Sequence, residues 1–172
     1  EQESIKRYTH IATGNYNENT ASLYTDVDLI TSDDSIGRDA AQLFNYLMAY
    51  TEEQSWKALS VAPFNLRENL YKLFDNEIKQ AKEGRKARVI MKMNSLIDKD
   101  MIDKMYEASN AGVRIDLIVR GICGLKAGCK GFSSNIKVRS IVGRLLEHSR
   151  IFYFENAGSP RYFIASADMM PR

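Results

Sequence analysis

Histidine occurs only twice in 172 residues, and one of the two stands where chemistry could happen. In "LLEHSRIFYFENAGSPRYFIASADMM" (145–170), His148 precedes Arg150 by two positions and leads into an aromatic run. In an extended chain, period-two alternation puts both side chains on one face. An imidazole beside a guanidinium suits phosphoryl chemistry. The histidine can attack phosphorus or move a proton, while the cation neutralises charge on the transferring group. The plainer reading is a histidine that packs at a strand start.

A second feature favours the chemistry. "HIATGN" (10–15) and "FIASAD" (163–168) both read Ile-Ala-hydroxyl-small-Asn/Asp at the end of a short apolar strand. A hydroxyl beside a carboxamide or carboxylate at a strand end can orient a histidine or a phosphate oxygen. Two such units face to face would build one site across a pseudo-twofold axis; five positions are also few enough to match by coincidence.

The charge distribution fits an anionic ligand. Residues 1–112 hold 14 Lys/Arg against 18 Asp/Glu, whereas residues 113–172 hold 10 against 4. The basic part carries spaced arginines (Arg114, Arg120, Arg139, Arg144, Arg150 and Arg161), not the contiguous block of a basic tail. Guanidinium groups at strand ends suit a phosphate pocket, because each offers a rigid fork of donors. A solvated basic face would give the same pattern.

These residues need a frame. "ALSVA" (58–62) reads as a strand stopped by Pro63, and Asn65 with Glu68 resembles a capping box. Leu66, Leu70, Leu73, Phe74 and Ile78 then recur at helical spacing up to Gly84. "ARVIMKM" (87–93) is a strand, and Asp98 opens a helix through Met101, Ile102, Met105 and Ala108 that closes at Gly112. "RIDLIV" (114–119) is a third strand, so the order predicts a parallel α/β sheet. "GICGLKAGCKGFSSN" (121–135) is a glycine-rich loop; strands follow at 136–142, 150–154 and 161–166, with a turn at "NAGSP". Upstream, residues 33–50 fit a helix with Ile36, Ala40, Leu43, Phe44 and Leu47 on one face, and "KRYTHIA" (6–12) fits a strand. "TEEQSWK" (51–57) is the best domain boundary, and the ends read as cut from a larger protein.

Composition narrows the class further. With 44% hydrophobic and 27% charged residues and a mean hydropathy of −0.36, the chain reads as an ordinary soluble globular protein of one domain or one and a part. No apolar run approaches a membrane span, and the N-terminus lacks a signal-peptide pattern. Cys123 and Cys129 share the glycine-rich loop without metal-ligand spacing, so they read as reduced cytosolic thiols.

Four long stretches carry a family resemblance: "YTHIATGNYNENTASLYTDVDLIT", "ARVIMKMNSLIDKDMIDKMYEASNAGVRIDLIVRGICGL", "NIKVRSIVGRLLEHSRIFYF" and "YFIASADMMPR". They resemble the C-terminal region of bacterial polyphosphate kinase of the long multidomain type, over almost the whole chain. The resemblance implies an α/β fold of phospholipase-D-like type, a mixed sheet flanked by helices. Residues 1–57 would be the C-terminal part of a first such domain, and 58–172 a second, truncated at its own C-terminus. The two echoed strand ends would be the superfamily's half-motifs, His-x-Lys followed by Gly-Ser-x-Asn. The second is degenerate, because Arg150 replaces lysine and Ala165, Ser166 and Asp168 stand for Gly, Ser and Asn.

The implied reaction is reversible transfer of the ATP γ-phosphate to inorganic polyphosphate through a phosphohistidine. The family's nucleophile lies in a His-Ala-Lys-type motif before "RYTHIATGN"; residues 1–9 contain none, and His10 is not its equivalent. The family pattern places Tyr24, Arg120 and His148 at the ATP and phosphate site, with His148 catalytic. His10, Asn15, Arg150, Ser166 and Asp168 would support it. Magnesium is expected as cofactor, with its ligands outside this chain and no metal site within it. The expected setting is cytoplasmic, with room for peripheral membrane association, and homo-oligomeric for the full-length protein, with no nucleic acid and no membrane span. The competing classes are a phospholipase-D-like phosphodiesterase and a polyanion-binding domain inactive in isolation.

Overall fold

Fifteen residues separate the first strand from the third, yet the two pair into one ribbon. The computed structural model describes residues 5–49 and 55–171. In chain order the elements are β1 (Thr9–Ala12), α1 (Glu18–Leu23), β2 (Tyr24–Thr25), β3 (Asp28–Thr31), α2 (Asp34–Ala49), α3 (Leu66–Lys82), β4 (Arg88–Met93), α4 (Lys99–Asn110), β5 (Arg114–Val119), β6 (Ile136–Arg139), β7 (Leu146–Glu147), β8 (Arg150–Phe154) and β9 (Arg161–Ala165). β1 and β3 run antiparallel with Thr9 opposite Thr31, and β2 pairs parallel with β7.

The main sheet has five strands in the order β6-β5-β4-β8-β9. β4, β5 and β6 are parallel, whereas β8 and β9 run antiparallel on the other side of β4. Alternation builds its core: Val89, Met91 and Met93 are buried with Ile115, Leu117 and Val119, as are Phe152 and Phe154. Leu70, Phe74 and Ile78 of α3 and Met101, Met105 and Ala108 of α4 close over that face. Phe74 meets Phe154 edge to face, with centroids 5.4 Å apart. The alternate positions Ile90, Lys92, Asp116 and Ile118 lie on the opposite, partly exposed face.

Two expectations are corrected. Residues 58–62 form no strand, because side chains take the donors that a ladder would need. Asp39 of α2 accepts from the N–H groups of Lys57, Ala58 and Leu59 at 2.7–2.9 Å, and Asn65 Oδ1 accepts from Val61 N at 2.7 Å. Asn65 is therefore engaged upstream and makes no side-chain cap on α3. The sheet itself is mixed, as the family resemblance implies, with β4, β5 and β6 parallel and β8 and β9 antiparallel on the other side of β4. Asp98, by contrast, caps α4 by accepting from Met101 N at 2.9 Å. The short α1, β2, β3 and β7 are additional to the elements read from the sequence, the strand expected over 136–142 stops at Arg139, and most of the boundary at 51–57 lies outside the described residues.

Candidate active site

Arg150, only 7% exposed, is the hub. Its Nε and Nη2 donate to the two oxygens of Asp168 at 3.2 and 3.0 Å, the planar fork-to-fork pairing that guanidinium favours. Its Nη1 faces the carbonyl of Thr13 at 3.4 Å, the carbonyl of His148 at 2.9 Å and the Nε2 of His148 at 3.0 Å. A guanidinium can only donate, so Nε2 accepts and the ring proton sits on Nδ1. That Nδ1 lies 2.9 Å from Asp26 Oδ1, which also accepts from Thr13 Oγ1 at 2.7 Å. Asp26, His148, Arg150 and Asp168 thus form a continuous chain, fixing the histidine as the neutral Nδ1–H tautomer.

The surrounding elements hold this chain in place. Thr13 is buried where β1 ends, and its hydroxyl accepts from Val27 N at 3.1 Å. Gly14 follows because a Cβ there would stand 2.4 Å from Asp26 Oδ2. Tyr24 of β2 lays its ring against His148, centroids 4.7 Å apart and tilted by 44°. The Thr25 carbonyl accepts from both His148 N and Ser149 N at 3.1 Å. At the other end, Asp168 accepts from Asn94 N at 2.8 Å and Ser95 N at 3.3 Å, where β4 ends. Burial pushes the Asp168 carboxyl up, but the Arg150 fork and these amides outweigh it and hold it below the ordinary range. Asn94 also accepts from Arg120 Nε at 3.2 Å, which ties Arg120 into the same network.

The structure therefore brings together His148, Arg150, Asp168, Tyr24 and Arg120. His10 and Asn15 stay outside the chain: His10 meets Asp28 at 3.1 Å and the Tyr16 hydroxyl at 2.5 Å, and with Asn15 it lines a cleft shared with Tyr24 and Asp26. Ser166 is exposed just past β9. Sequence reasoning missed Asp26, Thr13 in its bridging role, and Asn94. Asp26 had one local signal: it lies two residues after Tyr24 in "LYTD", the spacing that places extended residues on one side. Asp26 and Asp168 are committed to His148 and Arg150, and no group of three or more metal-ligating residues occurs among the described residues. These carboxylates do not fit a magnesium site.

Two family models match the chain: "Polyphosphate kinase C-terminal domain 2" covers residues 59–172, and "Polyphosphate kinase C-terminal domain 1" covers residues 1–53. The chain belongs to the polyphosphate kinase family. The polyphosphate kinase of Lactiplantibacillus plantarum is 54% identical over all 172 residues, and that of Halalkalibacterium halodurans is 52% identical over 170. The chain spans 24% of each, about a quarter of their length. The crystal structure of polyphosphate kinase from Porphyromonas gingivalis superposes with a TM-score of 0.89 at 42% identity, covering 95% of this chain and 27% of that one. The mixed α/β fold is thus that of a polyphosphate kinase, and the two matched family domains meet where Asp26 touches His148.

Proposed function

We propose that this chain supplies one wall of a polyphosphate kinase active site, transferring the ATP γ-phosphate reversibly to inorganic polyphosphate. The observation that carries the reading is the Asp26–His148–Arg150–Asp168 chain, in which a buried cation caps a histidine of fixed tautomer. The transferred phosphorus leaves the β,γ-bridging oxygen of ATP, and a P–N bond forms to a histidine other than the two in this chain. ADP departs, and a terminal polyphosphate oxygen then attacks that phosphohistidine. His148 binds the γ-phosphate or protonates the leaving oxygen from Nε2 once that nitrogen, an acceptor in the resting Nδ1–H tautomer, has been released by Arg150 and has taken up a proton, the imidazolium then facing Asp26. An arriving phosphate oxygen replaces the imidazole as the acceptor of Arg150 Nη1, which frees Nε2 and turns the guanidinium toward the anion. Arg120 clamps a second phosphate oxygen, and Tyr24 flanks the site against the His148 ring. The same proposal includes ATP and polyphosphate as partners, magnesium held by other groups, homo-oligomers of the full-length polypeptide and a cytoplasmic setting. No helix among the described residues is long and apolar enough to cross a membrane.

The test embeds the chain in a polypeptide of its relatives' full length and follows labelled phosphate in both directions. His148→Ala is expected to abolish polyphosphate synthesis and the reverse formation of ATP. Wild-type rates in that variant would overturn the reading. Arg120→Lys keeps the charge but loses the fork, and is expected to weaken ATP use.

A further inference from the structure

The backbone that carries His148 is gripped from behind by a residue outside the proposed machinery. Lys92 of β4 alternates with the core residues Met91 and Met93, so its side chain leaves on the opposite face of the sheet, yet it is only 14% exposed. Its ammonium donates to Ser149 Oγ at 2.6 Å and the Ser149 carbonyl at 3.0 Å, and pairs with Glu147 Oε2 at 3.2 Å. Residues 147 and 149 flank His148 and, in extended backbone, point away from it. The ammonium therefore holds the back of the peptide whose front presents the imidazole. An ammonium has three protons and this one faces three acceptors, so no donor is left over for a ligand.

That grip matters because the segment has little else. β7 is two residues long, and its partner strand β2 is equally short. The Thr25 carbonyl holds the His148 and Ser149 amides from the side of the first family domain, while Lys92 holds residues 147 and 149 from the second. The His148–Asp26 and His148–Arg150 distances depend on both. We propose that Lys92 is a positioning residue for His148, seating the imidazole between Asp26 and Arg150 and so setting its tautomer. Its importance for phosphate transfer rests on the functional reading above; its effect on the imidazole does not.

The chain's two histidines make this measurable by nitrogen-15 NMR of the imidazoles. Wild-type His148 is expected to show the Nδ1–H tautomer at neutral pH. In Lys92→Met its two ring nitrogens should shift toward the averaged values of a tautomer mixture, while those of His10 stay in place as an internal control. Ser149→Ala and Glu147→Gln each remove a single contact and should give smaller shifts in the same direction. They decide the question if Lys92→Met fails to fold. In the full-length polypeptide, Lys92→Met should lower kcat on the order of 10- to 100-fold, as expected for a misplaced group, with the KM for ATP changed about twofold at most. Unchanged His148 signals in folded Lys92→Met, or in both Ser149→Ala and Glu147→Gln, overturn the positioning role. Shifted signals with undiminished transfer leave that role standing and overturn the functional reading.

Discussion

Arg150 uses its guanidinium on four groups at once, and the acid behaviour of Asp168 reports how tightly. The Asp168 carboxyl titrates below its ordinary value of 3.8 because the Arg150 fork and two backbone amides together outweigh the cost of burial. A carboxyl depressed in the folded state binds fewer protons there than in the unfolded chain. Its stabilisation is therefore complete above the ordinary aspartate range and drains away as pH falls toward its folded pKa. Asp168→Asn leaves the buried Arg150 cation without its partner, which costs roughly 3–5 kcal/mol at neutral pH. Urea unfolding of both proteins as a function of pH checks this. The gap should narrow steadily below about pH 4, as wild-type Asp168 itself becomes neutral, and a gap that does not change with pH would contradict the assignment.

At the scale of elements, Glu77 shows how α3 is stitched to the sheet. It is fully buried, and its two oxygens accept from the first amide of β4, Arg88 N at 3.0 Å, and from Asn156 N at 2.6 Å just after β8. Burial pushes its carboxyl up, against the pull of those two amides. Acidification through the window above the ordinary glutamate value thus relieves a penalty instead of creating one. Glu77→Gln keeps the shape but turns an NH2 group toward one of the two amides. It should lower stability by about 1–3 kcal/mol in thermal unfolding at pH 7, and a more stable variant would show that the buried charge outweighs the hydrogen bonds. Much at this scale was legible: α2, α4, β4, β5 and β8 follow apolar periodicity, and Asp98 reads as a cap and is one. Residues 58–62 misled because their apolar pattern is local, whereas the acceptor that overrides it, Asp39, lies about twenty positions upstream. Asn65 misled for a local reason, its side chain being taken by the Val61 amide and the Leu59 carbonyl just upstream and not by the helix that follows.

Over the whole molecule, the site exists only because distant segments meet. The repeated strand ends signalled this, and the structure brings Thr13 and Asp168 onto opposite sides of Arg150. The repeat pointed equally to Asn15 and Ser166, which do not join them, and it could not reveal Asp26, whose contact with His148 spans 122 positions. Gly14 is where this convergence can be broken with little damage to the fold. A methyl group there would stand 2.4 Å from Asp26 Oδ2, and the carboxylate is the end of a side chain that can rotate away while the buried Thr13 backbone cannot. Gly14→Ala should therefore cost no more than about 1–3 kcal/mol, the usual range for an overpacked methyl. It should nevertheless separate Asp26 from His148, removing the acceptor that keeps the proton on Nδ1. Two measurements on one sample distinguish this from general loosening: the unfolding midpoint, expected to move little, and the His148 ring-nitrogen shifts, expected to move toward a tautomer mixture. An unmoved imidazole beside a large loss of stability would mean that Gly14 serves the β1–β3 ribbon and not the junction.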